Sequence, residues 1–261
     1  KPDTDQVPES CPTVGSRYTT LMGNAIIMAA RQVKASILEM ASEMLLVPVE
    51  RIETKNRLVY DREDPTKSLA FKEVAARCMA MGKRLIGQGW WTPPASSLDP
   101  ETGQGNPYFV YTYSTHMAEV LVDVETGEVE ITDYVAAFDV GKAINPKAVE
   151  GQIEGGVAMG LGYALMEEVA MVDGVPQNIN LQDYLIPTTL DVPHIKPIIL
   201  EVENKLGPYG AKGIGEMPNI PATPAILNAI ANACGGRVRS LPADPEHVFM
   251  AIREAGGPPE R

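Results

Sequence analysis

Residues 119–140 read EVLVDVETGEVEITDYVAAFDV. Val120, Val122 and Val124 alternate with Glu119, Leu121 and Asp123, the period of a half-buried strand. Glu125-Thr126-Gly127-Glu128 then reads as a turn. Val129 and Ile131 resume the alternation, and the second strand is expected to run through Val135 to Val140. Directly after this hairpin, Asn145-Pro146 reads as an N-cap followed by proline at the first helical position. The helix is expected to reach about Val169, with Val149, Ile153, Val157, Leu161 and Ala164 on one face. A hairpin feeding a helix without strict strand–helix–strand alternation predicts an α+β fold of mixed sheets with packed helices.

Toward the C-terminus, residues 181–186 and 196–203 read as strands. A glycine-rich loop spans residues 207–215. Pro221 and Pro224 precede a helix that Gly235-Gly236 stops. A short strand at Val238 and a helix over 245–255 close the chain. Toward the N-terminus, residues 87–107 form a long Gly- and Pro-rich loop containing Trp90 and Trp91, either lining an entrance or lying on the surface. Residues 68–82 read as a helix capped by Ser68, and residues 49–61 as a short strand or hairpin. A longer helix starts at an N-cap on Thr19 or Thr20, turns Ile26, Ala30, Val33, Ile37, Ala41 and Met44 to one side, and stops at Pro48. The polar opening that starts at Lys1 suggests a chain entered partway.

The 261 residues carry 34 acidic against 22 basic groups, a net charge of −12. That balance argues against nucleic acid as the partner, since phosphate binding needs a basic surface. No apolar run is long enough for a membrane span. Cys11, Cys78 and Cys234 cannot build a disulfide framework or supply four thiolates to an iron–sulfur cluster. A reducing, cytoplasmic setting follows as the expectation. His116, His194 and His247 have no neighbours at metal-ligand spacing and read as satisfied or exposed side chains; no metal-ligating residue is predicted.

Three stretches carry features that a plain fold does not require. Gly15, Ser16, Arg17, Tyr18 and Thr19 gather just before a helix start, where free amides and the guanidinium fork suit an anion. Ordinary helix capping is the plainer alternative. The helix from Asn145 contains Gly151, Gly155, Gly156, Gly160 and Gly162. Together they cost about 4–5 kcal/mol of helix propensity. The i, i+4 pairs make smooth strips for either a neighbouring backbone or a flat ligand. Gln152 could offer a donor and an acceptor to a heterocycle. The charged Glu150 and Glu154 exclude a membrane dimer motif. The third stretch, residues 207–216, surrounds Glu216 with glycines. Flanked by Ile214 and Met217, Glu216 is expected to be partly desolvated and suited to a general base, against the alternative of a solvated loop carboxylate.

Taken in order, these motifs resemble the molybdenum hydroxylase family, the large subunit of xanthine dehydrogenases and aldehyde oxidoreductases, over the last third of that subunit. Val7-Pro8, Pro12-Thr13 and Gly15-Ser16-Arg17-x-Thr19 resemble its phosphate-binding segment. Asp139-Val140-Gly141, Asn145-Pro146 and Gly151-Gln152-Ile153-Glu154-Gly155 resemble the stretch with the pterin-facing glutamine. Gly213-Ile214-Gly215-Glu216, continued by Pro221-x-x-Pro224-Ala225, resembles the loop with the catalytic glutamate. The resemblance implies one molybdopterin-binding region over 1–261, with a subdivision near 87–107 left open. It implies a molybdenum molybdopterin cofactor, usually the cytosine dinucleotide, held by Gly15, Ser16, Arg17, Tyr18, Thr19 and Gln152. Glu216 would be the general base in hydroxylating an aldehyde or N-heterocycle carbon with water-derived oxygen. The family's upstream glycine-rich segment is absent from this chain. The rest of the molybdopterin subunit, and iron–sulfur and flavin (FAD) subunits, are therefore implied partners. A noncatalytic module of the same fold, or a phosphate-binding domain without molybdenum, are the alternatives.

Overall fold

The computed structural model describes Asp3, Asp5 and residues 12–257. Cys11, Val7 and Pro8 lie outside them. The chain divides into two compact units, one of Tyr18–Phe109 and one of Lys1–Arg17 with Val110–Arg261.

The smaller unit opens with α1 (Tyr18–Leu45). The expected cap at Thr19 or Thr20 is not there, because both residues already lie inside the first turn. Of the predicted face, Ile37 and Ala41 are buried, but Ile26 is 60% exposed. The apolar period therefore runs past the part of the helix that packs. Strands β1 (Ile52–Lys55), β2 (Leu58–Asp61) and β3 (Ser68–Ala70) form an antiparallel sheet in that order. Asn56 and Arg57 close the β1–β2 hairpin at φ 50° and 63°, as a type I′ turn requires. Helix α2 (Phe71–Ala80) starts later than expected. Ser68 pairs with Tyr60 in the sheet instead of capping, and Glu73 accepts the Ala70 amide at 3.2 Å. Ile37, Met40, Val59, Val74 and Cys78 make this unit's core. Further along, the Gln32 side chain bonds both backbone groups of Gln88, holding residues 87–89 against α1. Trp90 is 83% exposed, while the Trp91 ring meets Phe109 edge-on.

The larger unit is built on β4 (Ser114–Val122) and β5 (Val129–Asp139), the hairpin read from the sequence. A bulge opposite Glu119 and Val120 leaves Thr132 unpaired. The inward set consequently changes parity, from Ile131 to Tyr134, Ala136 and Phe138, so Val135 is not in the core series. Helix α3 (Pro146–Leu165) is capped by Asn145, whose Oδ1 accepts the Ala148 amide at 3.2 Å. Val149, Ile153, Val157, Leu161 and Ala164 are all buried, as the period predicts. The helix stops at Leu165, short of Val169, because the amides of both Met166 and Glu167 turn back to the Gly162 carbonyl.

A small hairpin, β6 (Met171–Val172) with β7 (Val175–Pro176), turns at Asp173-Gly174 and was not expected. Residues 181–186 are not a strand. Asn180 gathers the amides of Gln182, Asp183 and Tyr184 into a turn. Strand β8 (Ile195–Leu200) adds to β5 in parallel, pairing Tyr134 with Ile195 through Asp139 with Leu200. Helix α4 (Ala222–Cys234) ends at Gly235 with φ 77°. Val238 lies in no strand, and α5 (Pro245–Glu254) is capped by Asp244. Tyr134, Phe138, Ile153, Leu161, Ile226, Ile230 and Val248 form one core. The outcome is the α+β class read from the sequence, and among the described residues no helix is long and apolar enough to cross a membrane.

Candidate active site

Three elements of the larger unit deliver the site. The first is the turn at 14–17, closed by the Arg17 amide on the Val14 carbonyl at 3.3 Å. Its central residues, Gly15 and Ser16, stand at φ 61° and 51°. The second is the start of α3, which carries Gln152. The third is the loop from Gly207 to Glu216, tied to the end of β5 by Lys142 N to Gly210 O at 2.8 Å and Lys212 N to Val140 O at 2.9 Å.

These elements meet at Ser16. Its hydroxyl donates to Glu216 Oε2 at 2.9 Å and accepts the Glu216 amide at 2.8 Å. Gly213 is required here, because a Cβ on it would lie 1.9 Å from the Ser16 carbonyl oxygen. A Cβ on Gly215 would lie 3.2 Å from Ser16 Oγ and 3.8 Å from Gln152 Oε1. Ser16, Gln152 and Glu216 thus share one small region, although their sequence positions are far apart.

The expected partial desolvation of Glu216 is absent in this chain. Glu216 is exposed, because its flanking residues Ile214 and Met217 turn inward onto the core. Gln152 is exposed as well. Tyr18 and Thr19 lie in the first turn of α1, in the smaller unit, and both are exposed.

The glycine strips of α3 divide into two. A Cβ on Gly156 would meet Pro218 at 2.5 Å, and one on Gly160 would meet Ala222 at 2.4 Å. That strip lets the segment from Pro218 to Ala222 approach, and Thr223 bonds the Gly160 carbonyl at 2.9 Å. Nothing lies within 4 Å of a Cβ on Gly151 or Gly155. Those two glycines pack against none of the described residues beyond their own helix and leave open space beside Gln152.

Arg17 gives a further sign. Its Nη2 donates to the Pro12 carbonyl at 3.2 Å, while its Nε is buried with no partner among the described residues. A buried unpaired donor calls for an acceptor that completes it. An anionic group with a flat ring system suits both features, so the residues present fit a phosphorylated pterin. Among the described residues, no three His, Cys, Asp or Glu side chains gather as metal ligands.

The sequence reading missed Lys212. It lies in the glycine loop and reaches back to Asp139, the residue that ends β5. Its occurrence within a Gly-rich stretch was the available signal. Burial raises the Asp139 carboxyl, but the Lys212 ammonium and the Gly141 amide outweigh it and hold the group below the usual carboxylate range.

A family model described as "Molybdopterin cofactor-binding domain" matches residues 1–193. The chain belongs to this family. This molybdopterin-binding chain is 32% identical over 259 residues to the xanthine dehydrogenase molybdenum-binding subunit of Escherichia coli O157:H7, covering 97% of this chain and 33% of that protein. It is 33% identical over 257 residues to the aldehyde oxidoreductase of Megalodesulfovibrio gigas, covering 97% of this chain and 25% of that one. Quinoline 2-oxidoreductase from Pseudomonas putida 86 superimposes with a TM-score of 0.76 at 33% identity, over 92% of this chain and 30% of its own. The molybdopterin-binding chain therefore spans 33% or less of the length of these relatives.

Proposed function

We propose that this chain supplies the general base and one wall of the cofactor site of a molybdenum hydroxylase. The observation that carries the reading is the convergence of Ser16, Gln152 and Glu216 around Gly213 and Gly215. When bound, the molybdenum molybdopterin would accept the two electrons removed from the substrate carbon.

Glu216 acts as the general base. Its Oε2 is taken by Ser16, so Oε1 is the atom that receives a proton from the water-derived nucleophile. Gln152 hydrogen-bonds the pterin edge, and the bare backbone at Gly151 and Gly155 lets the ring system lie close. Arg17, beside Gly15, holds the phosphates, and the anion pairs the Nε that has no partner among the described residues. A dinucleotide form with a second phosphate, the cytosine dinucleotide, suits that arginine. The substrate is an aldehyde or N-heterocycle, in keeping with the relatives named for aldehydes and quinoline.

The remaining part of the molybdopterin subunit, and chains carrying iron–sulfur clusters and FAD, complete the enzyme. This accords with the fraction of each relative that the chain covers. Buried, unpaired Cys78 and Cys234 accord with a cytoplasmic setting.

Native mass spectrometry of the complex, with metal analysis and acid release of the nucleotide, tests the reading. Partner chains with one molybdenum and one CMP per copy are expected. A metal-free chain without partners would establish the noncatalytic module instead.

A further inference from the structure

We propose that Ser16 is a positioning residue for Glu216 and not a ligand of the cofactor phosphate. The inference rests on the general-base role of Glu216 and deepens it. A serine hydroxyl has one hydrogen. Here that hydrogen is given to Glu216 Oε2 at 2.9 Å, and the same oxygen accepts the Glu216 amide at 2.8 Å. Phosphate oxygens only accept, so the hydroxyl has no hydrogen left to offer one. Arg17, whose Nε has no partner among the described residues, is a donor at this turn suited to an anion.

The two bonds fix different parts of Glu216. One holds its backbone and the other its carboxylate, so a single hydroxyl sets both ends of a flexible side chain. This matters because Glu216 is exposed, so burial does not fix its rotamer. The serine is itself held. Its φ of 51° belongs to the turn, and Gly213 closes on its carbonyl so tightly that any side chain there would collide. A base must sit within a fraction of an ångström of its working position, and groups that lock its rotamer supply that placement.

The test uses the complete enzyme complex with Ser16→Ala and Ser16→Gly. Glycine tolerates the left-handed backbone, so a loss shared by both variants comes from the hydroxyl and not from strain. Molybdenum and nucleotide contents are expected to stay at wild-type levels. Amide hydrogen exchange at Glu216 should become about tenfold faster, since its acceptor is gone. Turnover should fall about 10- to 100-fold in kcat, with KM within about twofold. Loss of molybdenum or nucleotide, unchanged amide exchange, or an unchanged kcat would each overturn the proposal. Glu216→Gln, measured in parallel, isolates the underlying reading. If that variant keeps turnover, the general-base role fails, while cofactor content and amide exchange still decide whether Ser16 clamps residue 216.

Discussion

Asp139 and Lys212 form an ion pair, Oδ2 to Nζ 2.5 Å, with side chains only 8% and 9% exposed. Lys212 Nζ also donates to the Tyr111 carbonyl at 2.9 Å, and Asp139 Oδ1 accepts the Gly141 amide at 3.1 Å. The pair joins the end of β5 to the loop that carries Glu216. Removing one partner of a buried pair leaves a charge without compensation. Lys212→Met is expected to lower stability by about 3 kcal/mol in urea titrations. The double change Lys212→Met with Asp139→Leu should recover most of that. Because the Asp139 carboxyl is held below its usual range, its contribution is present at neutral pH. It is lost only as acid carries the pH below about 4.

The open half of the glycine-rich helix makes a prediction with opposite signs. Gly151→Ala and Gly155→Ala meet none of the described residues beyond their own helix, so each should raise the stability of cofactor-free protein by about 0.5–1 kcal/mol. The same changes should reduce molybdopterin retention in the assembled enzyme. Gly156→Ala is the control. Its Cβ would strike Pro218, and it should destabilise the protein with or without cofactor. Thermal unfolding with metal analysis of each variant checks all three.

His116 gives a separate pH dependence. Its ring meets Phe138 and Tyr134 edge-on, Nδ1 lies 2.8 Å from the Tyr134 hydroxyl, and Nε2 is buried without a partner among the described residues. Burial lowers its pKa to about 4. A histidine held neutral in the fold contributes stability that is whole above the unfolded value of about 6.5. That contribution is lost as pH falls toward 4. His116→Phe should flatten the stability profile between these limits by about 1–2 kcal/mol, allowing for the ring's partial exposure. Denaturant midpoints from pH 7 to pH 4 measure it.

Local pattern explains which parts of the fold were legible. The β4–β5 hairpin and the five buried apolar positions of α3 that carry a side chain, Val149, Ile153, Val157, Leu161 and Ala164, follow from side-chain period alone. Where the reading failed, a competing local bond decided. Ser68 went to the sheet, the Gly162 carbonyl ended α3 early, and Asn180 made a turn of an apolar stretch. The β6–β7 hairpin was legible in principle, since Asp173-Gly174 between two valines is a strong turn signal. At the site, the motifs pointed to Ser16, Gln152 and Glu216 separately. The bond between Ser16 and Glu216 spans 200 positions and has no local signature. Nor did the sequence show that Ile214 and Met217 would turn away and leave Glu216 exposed.

The central claim is that Glu216 is the base. Turnover of the assembled enzyme carrying Glu216→Gln, with molybdenum content determined on the same sample, tests it most directly. Gln keeps the size and can still accept the Ser16 hydroxyl, but cannot take a proton at neutral pH. The account predicts turnover reduced by about 10²–10⁴-fold with full molybdenum content. Near-normal turnover at full molybdenum content would contradict it.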